Sequence, residues 1–188
     1  MFRTPFPDIR LVPATLPLLE ALETDRARFG ALIGSPVPER WPQFPESVRF
    51  TRDRLAESPE DVGWWMHFFV DPGTGTLLGS GGYTGPPREG TVEIGYEVAP
   101  EFRGKRYGVG AAAALVRRAA ATGLVGSVIA HTLPRENAST HVLTALGFAR
   151  DGESVDPDEG TVWRWRLPLS PKTGQLLGEG DTTKPRPG

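Results

Sequence analysis

Val92-Glu93-Ile94-Gly95-Tyr96-Glu97-Val98, followed by Arg103-Gly104-Lys105-Arg106-Tyr107-Gly108-Val109-Gly110 and then by Ala111-Ala112-Ala113-Ala114-Leu115-Val116-Arg117-Arg118-Ala119-Ala120-Ala121, decides the fold. The first piece alternates, with Val92, Ile94, Tyr96 and Val98 on one face and Glu93 and Glu97 on the other, which predicts a strand. The third is rich in the strongest helix former. Between them lies a basic, glycine-rich turn. The first turn of a helix leaves backbone amides without intrahelical partners, and the aligned peptide dipoles place partial positive charge there. Glycines let an anion approach those amides closely, and Arg103, Lys105 and Arg106 add charge. A phosphate-bearing ligand is therefore expected on the amides from Arg103 to Gly110. Two other phosphate loops are excluded by spacing: no Lys followed by Ser or Thr closes the turn, and the Gly-x-Gly-x-x-Gly pattern is missing.

Strand, Arg/Gln-x-x-Gly-x-Gly/Ala and helix together resemble the acyl-CoA pyrophosphate motif of the GNAT N-acetyltransferases. The segments Glu93-Ile94-Gly95-Tyr96 and Ala99-Pro100-Glu101-Phe102-Arg103-Gly104-Lys105 are most similar to the RimJ/RimL branch. So is Asn137-Ala138-Ser139-Thr140-His141-Val142-Leu143 with Leu146-Gly147-Phe148. By order of elements the resemblance runs from residue 8 to residue 168. One departure falls inside the motif, where the family's fourth-position glycine is Arg106. Its side chain could crowd the phosphate or point outward and add a contact; the surrounding Gly104, Gly108 and Gly110 favour the outward arrangement.

The composition sets limits on partners and compartment. A chain of 188 residues fits one domain with a substantial core. The formal charge of -2, without a long basic run, predicts no nucleic-acid partner. With no cysteine, disulfides, thiolate metal sites and a cysteine nucleophile are excluded. The N-terminus lacks a signal-peptide core and no window is long and apolar enough to span a bilayer, so no membrane partner and a cytoplasmic location are expected.

Outside the motif, Ile9–Val12 reads as a short strand, and Thr15 as the cap of a helix from Leu16 to about Phe29. Four prolines make Ser35–Pro45 a loop. A helix from Glu46 to Glu57 follows, then a buried strand over Gly63–Val70, a turn at Asp71–Gly75 and a returning strand over Thr76–Thr84. Gly79, Gly81 and Gly82 in that strand suggest a bulge or a close backbone approach. Later come a strand at Ser127–Thr132, a helix capped by Asn137 or Ser139 and ending at Gly147, and two strands around an Asp151–Gly160 turn. The fold class is α/β: a mixed, mostly antiparallel central sheet of about seven strands with helices on both faces, in the order β-α-α-β-β-β-α-β-α-β-β. Residues 1–169 make one domain and 170–188 a polar, Pro/Gly-rich tail.

Acetyl transfer from a thioester to an amine needs a neutral nucleophile, a donor for the carbonyl oxygen as charge develops, and a proton for the leaving thiolate. The resemblance implies acetyl-CoA as cofactor and assigns candidates for these roles. Glu93, ten positions before Arg103, is the base candidate, with Glu97 on the same face as competitor or as substrate-amine ligand. The Val98 backbone amide is the oxyanion donor. Arg103, Gly104, Lys105, Arg106, Tyr107, Gly108, Val109 and Gly110 surround the pyrophosphate. Asn137 corresponds to an asparagine that holds pantetheine, although it precedes Gly147 by ten residues rather than the family's eleven, and capping explains it equally well. The tyrosine acid of many relatives is Leu143 here, which leaves the role vacant or to Ser139. His131 is a candidate for touching acceptor or cofactor, against a structural role, and Trp41 and Phe44 for an apolar acceptor wall, against anchoring their loop. The histidines lack metal-ligand spacing, and no metal is expected.

The resulting expectation is a direct-transfer N-acetyltransferase acting on a primary amine. The RimJ/RimL resemblance implies a protein N-terminal α-amine and a homodimer. A small-molecule amine is the alternative acceptor, and a non-catalytic acyl-CoA-binding domain the alternative class.

Overall fold

The computed structural model describes residues 6–170, in seven strands and five α-helices. In chain order these are β1 (Arg10–Pro13), α1 (Leu16–Thr24), α2 (Arg26–Ile33), α3 (Pro45–Glu57), β2 (Met66–Val70), β3 (Leu77–Tyr83), β4 (Thr91–Val98), α4 (Tyr107–Ala121), β5 (Ser127–Thr132), α5 (Ala138–Ala145), β6 (Ala149–Asp156) and β7 (Gly160–Pro168). The alternating Val92–Val98 stretch becomes the middle strand of a single sheet ordered β1-β2-β3-β4-β5-β7-β6. Only β4 and β5 run parallel; all other neighbours are antiparallel.

Each face of the sheet carries its own core. The apolar side of β4, Val92 and Ile94, packs with Leu78, Phe69 and the alanine-rich α4, where Ala111–Val116 are buried, and with Leu143 and Leu146 near α5. Small side chains on α4 let the helix lie close to the sheet. On the other face Leu19, Leu22, Phe29, Val48 and Leu55 from α1, α2 and α3 bury Phe68 and Leu77.

Two expectations need correction. The helix expected from Leu16 to Phe29 is broken at Asp25, whose carboxylate accepts a bond from the Arg28 amide and starts α2, so the order gains a helix. Thr15 stands at the N-cap of α1 without a side-chain capping bond. The turn expected over Asp151–Gly160 is shorter: β6 runs to Asp156 through a bulge between Arg150 and Glu153, and Asp156 accepts the amides of Asp158 and Glu159 to reverse the chain. The glycines of β3 behave as anticipated, since a Cβ at Gly81 would lie 2.3 Å from the Gly95 carbonyl oxygen and one at Gly82 2.0 Å from that of Trp65. The expected tail lies outside the described residues beyond Ser170. Among the described residues no helix is long and apolar enough to cross a membrane.

His67 of β2 is fully buried and donates from Nδ1 to the Trp65 carbonyl at 3.1 Å. Burial, helped by the nearby Arg118 charge, lowers its pKa to about 4. The folded chain holds it neutral, while the unfolded chain protonates it near pH 6.5. A folded pKa below the unfolded one means that stability is lost as pH falls from about 6.5 towards 4, by up to roughly 3 kcal/mol. Denaturation free energies over that range should fall more steeply for the wild type than for His67→Gln; parallel slopes would contradict the assignment.

Candidate active site

The site grows from a gap beside β4. Thr84 donates to the Glu93 carbonyl at 3.1 Å and Ala99 to the Leu78 carbonyl at 2.8 Å, so the odd-numbered residues of β4 turn their backbone groups to β3. Alternation then turns those of Ile94, Tyr96 and Val98 towards β5. β5 pairs with β4 only as far as Glu93↔Ile129, after which the strands part. The Val98 amide therefore faces the gap, and the Val98 carbonyl on the same side accepts Nε of Arg103 at 3.3 Å.

The N-terminus of α4 closes that gap. Gly104 has φ 78°, and Arg106 takes the left-handed conformation, φ 64° and ψ 13°, directly before the helix. A left-handed non-glycine residue costs on the order of 1 kcal/mol, which accounts for the glycine that the motif prefers there. The Arg106 guanidinium carbon lies 5.5 Å from the centre of the Phe6 ring, and the residue borders the cleft. Gly110 is the first residue of α4 to donate within the helix, to the Arg106 carbonyl at 3.2 Å, so the amides of Tyr107, Gly108 and Val109 precede the helical ladder. A Cβ on Gly108 would stand 3.5 Å from Val142 Cγ2 and 4.0 Å from Val98 Cγ2, at the narrow part of the opening.

The cleft between β4, α4 and α5 has a volume of about 710 Å³, and Val98, Arg103, Gly104, Gly108, Ser139 and Val142 are among its lining residues. Its donor set, helix-start amides beside two arginines at one end and apolar walls beyond, fits a pyrophosphate carrying a pantetheine arm. A second cavity of about 320 Å³ lies between β3, β4 and α3. Phe44, Tyr96 and Glu97 border both spaces.

Glu97 is half-buried at this junction. Its carboxylate accepts the Gln43 amide at 3.0 Å and the Ser80 hydroxyl at 3.5 Å. Desolvation raises its pKa above the ordinary carboxylate value, against the opposing pull of those bonds and of the Arg103 charge. The Tyr96 hydroxyl is buried without a hydrogen-bond partner, next to Ser139, and burial pushes its pKa well above that of an ordinary phenol.

A splayed parallel pair, a helix-start anion site and two spaces meeting at a carboxylate coincide with what the sequence itself matches: residues 17–149 fit the family description "Acetyltransferase (GNAT) domain". The chain belongs to the GNAT acetyltransferase family. Among relatives of this GNAT chain, the uncharacterized N-acetyltransferase YjdG of Bacillus subtilis (strain 168) is 26% identical over 151 residues, 79% of this chain and 90% of YjdG. Two solved structures share the fold at lower identity. RimL, a ribosomal L7/L12 α-N-protein acetyltransferase in complex with coenzyme A, superposes with TM-score 0.61 at 18% identity, over 86% of this chain and 94% of RimL. A mutant form of the spermidine/spermine N-acetyltransferase SpeG of Vibrio cholerae gives TM-score 0.62 at 14% identity, over 90% and 96% of the two chains.

Within this GNAT domain the candidate residues separate. Val98, Arg103, Gly104, Arg106, Tyr107, Gly108, Val109 and Ser139 border the cleft, and Glu97 and Phe44 border both spaces. Others are engaged elsewhere. Glu93 lines neither space; its carboxylate pairs with His131 Nδ1 at 2.7 Å, and His131 Nε2 lies 3.3 Å from the Ser154 hydroxyl. Trp41 is not an acceptor wall: it is 1% exposed, stacks on Phe29 and donates from Nε1 to the Ser80 hydroxyl at 3.1 Å, anchoring the loop that carries Gln43 and Phe44. Gly110 is a packing glycine, since a Cβ there would meet the Pro7 carbonyl at 2.3 Å. Lys105 lies over the Phe102 ring at 5.9 Å, outside the cleft lining. The Asn137 side chain accepts the Thr140 amide at 3.1 Å in a capping box, and Asn137 too is absent from the lining. Sequence reasoning missed Tyr96 in any polar role, because alternation put it among the apolar residues of β4. It also missed Phe50 and Trp65 as cavity walls, for which the sequence offers no local signal.

Proposed function

We propose that this GNAT domain is an acetyl-CoA-dependent N-acetyltransferase that moves an acetyl group directly to a primary amine, with Glu97 rather than Glu93 as base. The observation that carries the reading is the meeting of the two spaces at Glu97. The cleft suits a phosphate-bearing donor and the cavity an acceptor, and the carboxylate between them borders both. Glu93 lines neither.

Bound acetyl-CoA would supply the activated acetyl thioester. The amides at the start of α4, with Arg103 and Arg106, hold the diphosphate end. The Val98 amide, left outside the β4–β5 ladder, donates to the thioester carbonyl oxygen as charge develops. Glu97 takes a proton from the ammonium form of the acceptor, directly or through one water, and its desolvation, which raises the pKa above the ordinary carboxylate value, makes it a stronger base than an exposed carboxylate. Tyr96, too weak an acid to ionise at neutral pH, donates a hydrogen bond towards the leaving sulfur, with Ser139 beside it. Replacing Tyr96 by Phe should lower kcat by about ten- to a hundredfold while acetyl-CoA affinity stays within about threefold; an unchanged kcat removes Tyr96 from the chemistry.

The RimJ/RimL resemblance points to a protein N-terminal α-amine as acceptor, and the names of the structural relatives span both ribosomal-protein and polyamine acceptors. Continuous measurement of thiol release from acetyl-CoA with a panel of amines tests the proposal. Amine-dependent release supports it. Tight acetyl-CoA binding with no release for any amine would leave an acyl-CoA-binding domain instead.

A further inference from the structure

The cavity beside Glu97 has a composition that selects among amines. Phe44, Phe50 and Trp65 wall it, and Phe50 meets Trp65 edge to face with ring centres 5.8 Å apart. Phe44 and Phe50 are 56% and 52% exposed, an unusual placement for two phenylalanines that border one space. Its floor is β3 and β4 backbone at Gly81, Gly82 and Gly95, where no side chain rises from the sheet. Gly82 and Gly95 are register partners, so the bare strip crosses both strands. Glu97 is the one charged side chain among the described residues that line the cavity.

These features discriminate. A polyamine would bring further ammonium groups, for which this cavity, with Glu97 as its one carboxylate among the described residues, holds no second acidic partner. A peptide N-terminus would bring backbone amides and carbonyls that need partners. The Ser80 hydroxyl is already engaged by Trp41 and Glu97 and that of Ser47 by the Phe44 carbonyl, so the side-chain partners left among the described lining residues are the Thr51 and Thr84 hydroxyls and the unpartnered Trp65 Nε1–H, fewer than an extended backbone needs. A flat ring strands no polar group on aromatic walls and a glycine floor, and gains edge and face contacts there.

Resting on the N-acetyltransferase reading above, we propose that the acceptor is a small monoamine with a compact aromatic body, of the arylalkylamine type, its ring on the Gly82–Gly95 floor and its ammonium at Glu97. The amine nitrogen forms its bond to the acetyl carbon as the carbon–sulfur bond breaks. Of the two protons that the ammonium loses in becoming an amide, one ends on the thiol and the other passes through Glu97 to solvent.

Gly95 provides the test, because a Cβ built there meets nothing within 4 Å and its backbone is not left-handed. Alternation directs that Cβ to the face of Glu97. Gly95→Val therefore raises a side chain from the cavity floor at a position with open space for its Cβ, and a β-branched residue suits a strand. At saturating acetyl-CoA, 2-phenylethylamine should show kcat/KM at least about tenfold above spermidine and above an alanyl tetrapeptide with a free N-terminus. Gly95→Val should lower kcat/KM for 2-phenylethylamine by about tenfold or more, through KM, and weaken its calorimetric binding equally, with acetyl-CoA binding unchanged. Preference for spermidine or the peptide, or full activity of Gly95→Val on 2-phenylethylamine, would overturn the acceptor assignment and leave the acetyltransferase reading standing. No release with 2-phenylethylamine while another amine of the wider panel is acetylated would overturn the acceptor assignment alone, and no release with any amine of that panel would overturn both.

Discussion

Replacing Gly108 by Glu is expected to abolish acetyl-CoA binding, with an affinity loss of at least about a hundredfold, while the fold and its melting temperature change little. The start of α4 attracts a diphosphate through unpaired amides and the positive end of the helix dipole, and anion contacts of this kind lie in the range of about 1–3 kcal/mol each. A glutamate at Gly108 would bring a like charge to that end and fill the opening between Val98 and Val142. The substitution should be tolerated by the protein itself: Gly108 is not left-handed, and its nearest neighbours would stand at ordinary contact distance from a Cβ. Gly110→Ala, by contrast, should damage the fold, since its Cβ would run into the Pro7 carbonyl. Calorimetric titration together with thermal melts separates the two. Undiminished binding by a folded Gly108→Glu protein would remove the phosphate site from the start of α4.

Glu97→Gln should lower kcat/KM for the best amine by about a hundred- to a thousandfold with acetyl-CoA affinity nearly constant. The amide keeps the size of the carboxylate and an oxygen that can still accept the Gln43 amide, so the loop from Trp41 to Phe44 should hold its place. The pH dependence supplies the sign. Glu97 works as a base only when deprotonated, and its pKa lies above the ordinary carboxylate value, so wild-type kcat/KM should rise with pH through that raised pKa. In the glutamine variant this acid limb should vanish. Glu93→Gln should cost far less, because Glu93 meets His131 rather than either space. A larger loss at Glu93 than at Glu97 would return the base to Glu93.

Much of the fold was legible because its middle rests on strong local signals. Strict alternation over Val92–Val98 has one physical solution, a half-buried strand, and the alanine run after a glycine-rich turn has another. The break between α1 and α2 was harder to see, because Leu16 to Phe29 keeps apolar spacing through it. Asp25, an N-cap residue type inside that run, was the signal that could have located the break. The bulge in β6 left no comparable mark beyond Gly152, which has φ 94°.

The site was legible only in its backbone part. Gly104 and Gly108 could be placed at the anion site from the motif, because backbone amides follow chain position. Gly110 looked the same in sequence, yet its missing side chain serves the approach of the Pro7 segment. Side-chain roles depend on which contacts long-range packing makes. Glu93 and Glu97 share one face of β4, and nothing local says that Glu93 will meet His131, 38 residues away, while Glu97 turns to the loop at Gln43, 54 residues away. Trp41 carried two readings, acceptor wall or loop anchor, and packing chose the anchor for the same reason. A tryptophan in a proline-rich loop suggests an exposed wall, but this one finds Phe29, Phe68 and the Ser80 hydroxyl and disappears into the core. Asn137 offered capping and cofactor contact with equal chemistry, and the capping box uses its side-chain oxygen.

The most direct test of the account is an equilibrium titration of the wild-type protein with acetyl-CoA and, separately, with pantetheine lacking the nucleotide and diphosphate. The account predicts tight binding of acetyl-CoA and binding of pantetheine weaker by at least about a hundredfold, because the diphosphate contacts at the start of α4 supply most of the affinity. Equal binding of the two ligands, or no binding of acetyl-CoA, would contradict it.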